Sequence, residues 1–462
     1  MKLKSGMKSK LNLKALLLSA MCSVVTPASA LDLVEAMQLA QQYDTTFQAA
    51  YANYLAAIEA GDQRTSAVLP QVGFNAFLKR GETETDRDGT VTESDDNSDG
   101  YSINLTQVIY DKTTFDNLDQ GDALVGKAIA DLETAKQDTI TRVASAYFDV
   151  LIAIDTLETA TAEKIAIGKQ LEQSTERFNV GLSAITDVKE QQASYDVSVA
   201  NEIIAINDLS NAREALRFII NTYPENLEVA SEEMPLVIPE PMDIDAWQDK
   251  SLASNFSILS AQYALDAAES SYEASKGGHY PNLSLNAEYG VVNSDDRNFS
   301  GLPIPGNETT DASVILNLNV PIYSGGLTSS TVRQKSSERD TAMALLEQER
   351  RRTIGLARSA YLSLEADIAN VKARKQAVIS TQTSLDATLA GYDAGTRTSV
   401  DVLLSQRQLF SAQRDYSVAR YNYLNNSLTL KQVAGILTPE DIEAINKWLI
   451  PRPAKDESQT QY

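Results

Sequence analysis

Arg177-Phe178-Asn179-Val180-Gly181, followed by Ile185-Thr186-Asp187-Val188, returns 214 residues later as Gly391-Tyr392-Asp393-Ala394-Gly395, followed by Ser399-Val400-Asp401-Val402. Four further pairs keep the same order. Ser145-Ala146-Tyr147 answers to Ser359-Ala360-Tyr361, Leu69-Pro70-Gln71 to Tyr280-Pro281-Asn282, Ile109-Tyr110 to Ile322-Tyr323, and Leu31-Asp32-Leu33 to Met242-Asp243-Ile244. The offsets stay between 211 and 214, so the chain is a duplication, with copies at 31–240 and 241–440. Solenoid repeats run to about 20–50 residues, so each copy is a domain-sized half.

Inside each half the apolar period switches between helix and strand. A helical stretch, Asp32 to about Ser66, stops at Leu69-Pro70. Val72, Phe74, Ala76 and Leu78 then alternate with polar or small residues, the two-residue period of a strand with one apolar face. An acidic loop, Gly81 to Gly100, leads to a second alternating run, Ser102 to Tyr110. The second half repeats the pattern, with a loop from Val292 to Asp311. Expected strands are about 72–79, 102–110, 282–290 and 313–323, close to the 9–11 residues of a tilted transmembrane strand. Phe77, Tyr101, Tyr110, Tyr280, Tyr289 and Tyr323 near the run ends resemble interfacial aromatic girdles.

Two proline-free stretches, Gln71–Tyr223 and Ile322–Thr438, are rich in good helix formers. Along Val199, Ile203, Ile206, Leu209, Ala212, Leu216 and Ile219 the apolar steps are three and four, the spacing of a packed seam. At ~1.5 Å per residue, the stretch from Thr114 to Phe178 would run ~100 Å. Gly181 and Gly395 break the runs, which predicts one long helical hairpin per half, over about 114–222 and 327–436.

The first thirty residues are different. Lys2, Lys4, Lys8, Lys10 and Lys14 precede an apolar run, Ala15–Val25, which closes on Ala28-Ser29-Ala30. That is a secretory signal peptide over 1–30, too short to span a bilayer. The single cysteine, Cys22, lies within it, so the mature chain is expected to have no thiol chemistry. The whole chain has 40 Lys and Arg against 63 Asp and Glu, a net charge of −23. Loss of five lysines makes the mature chain more acidic still, which disfavours nucleic acid and anionic lipid. The 441–462 segment reads as a polar tail.

No later stretch has 18 consecutive apolar residues, so a membrane position requires a closed β-barrel. Four strands cannot close one, because small barrels need at least about eight. Three chains would supply twelve. The narrow seams leave too little apolar surface for a globular core, but helices packed side by side could wall a cylinder.

Gln173 to Gly181 with Ala184 to Val188, Gly391-Tyr392 with Gly395 to Thr398, Val400 to Leu403, and Ala419-Arg420-Tyr421-Asn422-Tyr423-Leu424 together resemble the TolC family over about 31–440. The resemblance implies an α+β membrane protein of two tandem repeats, each a β-hairpin plus a long α-helical hairpin. Three copies would form a twelve-stranded β-barrel in the outer membrane, continued by an α-helical barrel across the periplasm. It also implies an exit duct for drug efflux or type I secretion that docks with a periplasmic adaptor and an inner-membrane transporter. No cofactor is expected. His279, the only histidine, has no second His or Cys to complete a transition-metal site, and neither a phosphate loop nor a catalytic triad is visible.

By position, Thr186, Asp187, Tyr392 and Arg397 match the residues that link neighbouring helix pairs at the closed entrance in the family. An Arg397–Asp187 pair is chemically sound, since Arg can hold a carboxylate with two hydrogen bonds. Asp401 would form a ring of three carboxylates at the entrance, favouring cations. The family has a second aspartate one turn later. Here Leu404 stands there, so a double acidic ring is not expected and cation block should be weaker. The competing reading of these residues is helix capping after a glycine turn. A periplasmic coiled-coil adaptor, the alternative function, would show one hairpin between β-rich domains rather than two hairpins and two strand pairs.

Overall fold

The structure is a computed structural model that describes residues 30–95, 97–231, 233–299 and 302–451. The expected signal peptide up to residue 29, with Cys22, lies outside the described residues, as does the chain beyond 451. In order, the first copy contains α1 (Leu33–Tyr43), α2 (Thr45–Ser66), β1 (Gln71–Lys79), β2 (Glu82–Arg87), β3 (Thr90–Asp95), β4 (Ser98–Tyr110), α3 (Lys112–Asn179), α4 (Ile185–Ile220) and β5 (Val229–Ala230). The second contains α5 (Ile244–Ser254), α6 (Phe256–Lys276), β6 (Asn282–Ser294), β7 (Arg297–Phe299), β8 (Leu302–Ile304), β9 (Asn307–Asn319), α7 (Leu327–Asp393) and α8 (Ser399–Val433). It is followed by α9 (Pro439–Asn446) and β10 (Leu449–Ile450).

The duplication holds at the level of hydrogen bonds. Gln71 faces Thr106 in the first hairpin, and Asn282 faces Asn319 in the second, 211 and 213 residues on. Asp32 and Asp243 cap α1 and α5, and Asp44 and Asn255 cap α2 and α6. Those last two caps split the helical stretch expected over Asp32–Ser66. Asp44 leaves the helical region at ψ 111° and its side chain accepts from Thr46 N, so a new helix starts there.

The main sheet has the order β1-β4-β6-β9, antiparallel throughout. Side chains directly opposite one another share a face. Val72, Leu105, Ala287 and Val314 form one row, and Phe74, Ile103, Tyr289 and Ala312 form another on the same face. The row between them, Gly73, Asn104, Glu288 and Ser313, lies on the opposite face. One face is therefore apolar across all four strands and the other is polar. The apolar face is bare: Val72, Phe74 and Val314 are exposed.

Two expected loops are corrected. Within Gly81–Gly100, β2 and β3 pair as a hairpin, and within Val292–Asp311, β7 pairs with β8. The main strands also extend into both segments, and β9 ends at Asn319, which leaves Tyr323 outside it.

Around the long helices the neighbours change with height. On the sheet side α2 packs on α3, α3 on α6 and α6 on α7; toward the far end α4 packs on α3, α3 on α8 and α8 on α7. At 68 residues, α3 is ~100 Å long.

A second correction concerns the core. A substantial one exists, in a belt where α1, α9 and the β5–β10 pair wrap the middle of α3 and α8. Tyr147, Phe148, Leu151, Leu216, Tyr421 and Leu428 are almost fully buried there, and Phe148 stacks on Tyr421 with centroids 5.8 Å apart. The Tyr147 hydroxyl donates to the carbonyls of Leu31 and Glu228, each at 2.9 Å. Arg420 donates to the carbonyls of Ala230 and Ser231 at 2.8 and 2.7 Å, and Tyr423 Oη accepts from Val237 N. The segment expected as a tail from 441 is partly structured, since most of α9 and all of β10 belong to this belt.

Candidate functional site

The far ends of both hairpins are built alike. At the first, Leu182 N donates to Arg177 O and Gly181 N to Phe178 O, with Gly181 at φ +79°. At the second, Thr396 N donates to Gly391 O and Gly395 N to Tyr392 O, with Gly395 at φ +74°. Both are Schellman turns, and the left-handed residue is the one that favours glycine.

The helices that restart after these turns are held differently. In α8, Thr398 and Asp401 form a capping box: Asp401 N donates to Thr398 Oγ1, and Asp401 Oδ2 accepts from Thr398 N at 2.9 Å. The Thr398 hydroxyl also donates to it at 2.9 Å. Those bonds hold the Asp401 carboxyl below its usual range, the backbone donor first, with the nearby Arg397 guanidinium adding to it. In α4 no side chain caps Ala184, and Asp187 instead accepts from Ser183 Oγ at 2.7 Å.

Within one chain the structure brings some of the expected site residues together and not others. Arg397 lies along the last turn of α7, where a Cβ on Gly391 would come within 2.8 Å of Arg397 Cγ. Thr186 and Arg397 are exposed, and Asp187 and Tyr392 are half-buried. No ion pair joins Arg397 to Asp187 among the described residues of the chain. Tyr392 is instead met by a residue not expected there: the Arg177 guanidinium carbon lies 5.0 Å from its ring centroid. Leu404 is exposed, one turn beyond Asp401.

The two tips also differ inside. Leu385, Val402 and Leu409 form a small apolar core in the second hairpin, with Val378, Leu389 and Tyr392 packed against it. At the corresponding end of the first hairpin the buried side chains are polar: Gln170 and Ser174 on α3, and Gln191, Ser194 and Ser198 on α4. Val180 and Leu182 at the first tip are 70% and 72% exposed. His279 is exposed in a short 3-10 turn, and no group of three or more metal-binding side chains occurs among the described residues. No described helix is long and apolar enough to cross a membrane.

Comparison with known proteins agrees with this architecture. The chain is 36% identical to outer membrane protein TolC of Escherichia coli (strain K12) over 424 residues, covering 90% of this chain and 85% of that protein. It is 28% identical to the alkaline protease secretion protein AprF of Pseudomonas aeruginosa, covering 90% of this chain and 87% of that one. The crystal structure of the Campylobacter jejuni CmeC outer membrane channel superposes with a TM-score of 0.73 at 16% identity, covering 97% of this chain and 98% of that one. Residues 36–222 and 247–436, one segment from each copy of the duplication, match the description of outer membrane efflux proteins, and the chain belongs to that family.

Proposed function

We propose that this chain is an outer-membrane exit duct for efflux pumps and type I secretion, assembled as a trimer with a gated periplasmic entrance. The outer-membrane location and the transport role follow from the family and its relatives. The chain is read as a passive conduit rather than an enzyme.

One observation carries the trimer: the chain leaves the same two edges open at every height. In the sheet they are β1 and β9; in the helical layer they are α2 and α4 on one side and α7 on the other. Both faces of β9 are exposed along its length, α2 buries no side chain, and Phe218 of α4 is 78% exposed. Unpaired strand edges are not tolerated in lipid. Pairing β9 of one copy with β1 of the next, and α7 with the next α2 and α4, satisfies both edges at every height by one rotation. Three copies give twelve strands, with the apolar rows toward lipid and the polar rows toward the lumen.

The hairpin tips then form the periplasmic entrance, where Thr186, Asp187 and Arg397 lie at the junction between copies, Tyr392 meets Arg177 of its own chain, and Asp401 recurs three times. Exposed Val180 and Leu182 suit docking by a periplasmic adaptor, itself joined to an inner-membrane transporter. The purified protein should migrate as a trimer in mild detergent and form channels in planar bilayers. Arg397→Ser with Asp187→Ala should raise single-channel conductance. Recovery as a monomer from the soluble periplasm would sink the duct reading, and unchanged conductance would reduce these residues to caps.

A further inference from the structure

We propose that Arg177 is a positioning residue of the entrance: a latch that holds Tyr392 from within the same chain and fastens the two helical hairpins together at their tips. The proposal rests on the tips being the closed end of the duct.

Arg177 occupies the last turn of α3 and Tyr392 the last turn of α7, so their contact joins the α3–α4 hairpin to the α7–α8 hairpin. No carboxylate is paired with Arg177 among the described residues, and the ring of Tyr392 is the partner its guanidinium faces. A basic residue at this position also suits the helix dipole. That role alone would be served equally by an arginine turned to solvent. Stacking on an aromatic face uses the planar guanidinium.

The seam behind the latch explains why one is needed. Along α3 the buried residues are mainly apolar through Ile167, then become Gln170 and Ser174. Gln170 Nε2, Ser174 Oγ, Gln191 Oε1 and Gln406 Oε1 are buried with no hydrogen-bond partner in the protein. Gln191 Nε2 makes a long bond to Ser399 O across the hairpins at 3.4 Å. Buried polar atoms without partners disfavour the packed seam relative to a hydrated one. The apolar core of the second tip offers no adhesion between hairpins, because Leu385, Val402 and Leu409 all belong to α7 and α8. Tyr392 packs on that core with one part of its ring environment and meets Arg177 with another. Beyond the belt, where Phe148 stacks on Tyr421, the seam is therefore fastened at its end.

Single-channel conductance of the purified protein in planar bilayers tests this. Arg177→Met should raise conductance at least twofold, and Arg177→Lys, which keeps the charge but not the planar guanidinium, should recover only part of the wild-type closure. Arg177→Met added to Tyr392→Leu should do no more than Tyr392→Leu alone. A wild-type conductance for Arg177→Met, while Arg397→Ser with Asp187→Ala conducts more, would overturn the latch and leave the gate standing. No change in any of these variants would remove the gate and the latch together. A second measurement does not depend on conduction. Cysteines at 177 and 392, joined by a short bis-maleimide, should crosslink within one chain and run as monomer on a denaturing gel. Crosslinked dimers and trimers would instead place the Tyr392 contact between copies and refute the proposal.

Discussion

Thr398 and Asp401 satisfy each other twice over, with the backbone amide of each bonded to the side chain of the other. The carboxylate that the sequence offered as an entrance ring is thus also the cap of α8, and the two roles are compatible because a cap needs only part of its hydrogen-bonding capacity. Removing Thr398 separates them. Thr398→Ala should cost α8 about 1 kcal/mol at its start, seen as faster hydrogen exchange over residues 400–403. Cation block by the ring should survive, since Asp401 remains.

The same cap fixes a pH response. The Asp401 carboxyl is held below its usual range, so its contribution is complete at neutral pH and is lost only as pH falls below about 4. After correction for the intrinsic rate, exchange at the start of α8 should therefore be flat between pH 8 and 5. A marked change within that window would show that another group controls this turn.

Glu163 has the opposite sign. Burial pushes its carboxyl up, with Arg414 and Arg407 pulling it partly back. Its contribution to the α3 seam is full below the unfolded value of about 4.3 and is lost as pH rises through the raised folded value. Acidification from pH 7 toward 5 should slow hydrogen exchange over residues 160–167, after correction for the intrinsic rate. Glu163→Gln should be slow at both pH values. An unaltered pH response in that variant would assign the effect elsewhere.

Arg420 anchors the belt through the carbonyls of Ala230 and Ser231. Arg420→Met keeps most of the volume and leaves the buried Ala230 carbonyl without its donor, at about 1–3 kcal/mol, while Ser231 O keeps its bond from Met234 N. Lower yield in the outer membrane and a lower melting temperature are expected, with single-channel conductance unchanged. A variant as stable as wild type would show that water replaces the guanidinium there.

Two glycines with similar backbone angles should respond differently. Gly435, at φ +69°, abuts the Ser254 carbonyl, which a Cβ would approach to 2.1 Å. Gly181, at φ +79°, faces open space. Gly181→Ala should cost only the left-handed strain, about 1 kcal/mol, and leave assembly intact. Gly435→Ala should abolish recovery of the assembled protein. Equal recovery of both variants would contradict the packing between α8 and α5.

Much of this architecture was legible because it is periodic. The duplication, the paired strands and the glycine-broken hairpins are all carried by repeated spacing. The belt was not legible because its contacts are distant in sequence. Leu33, Tyr147, Leu216 and Ile442 meet only after the chain has folded back several times. The β2–β3 hairpin was missed because Glu82-Thr83-Glu84-Thr85 has no apolar face to reveal a two-residue period. Its signal was the turn: Asp88-Gly89, with φ of +56° and +81°, is a favoured two-residue hairpin connection. At the tips, Arg177 stood in the family string, yet its contact with Tyr392 depends on how two hairpins lie side by side, which no spacing within either one encodes.

The belt joins the two ends of the described chain. Asn446 bonds through its side chain to Leu33 N and to the Asp32 carboxylate, and β10 pairs with β5. The first described helix, α1, is thus bonded to a residue more than four hundred positions later. Helix α1 packs on α3 and α4 of its own copy, and α9 adds the remaining cover from the end of the second. Pairing of β10 with β5 therefore ties the end of the second copy back to the end of the first.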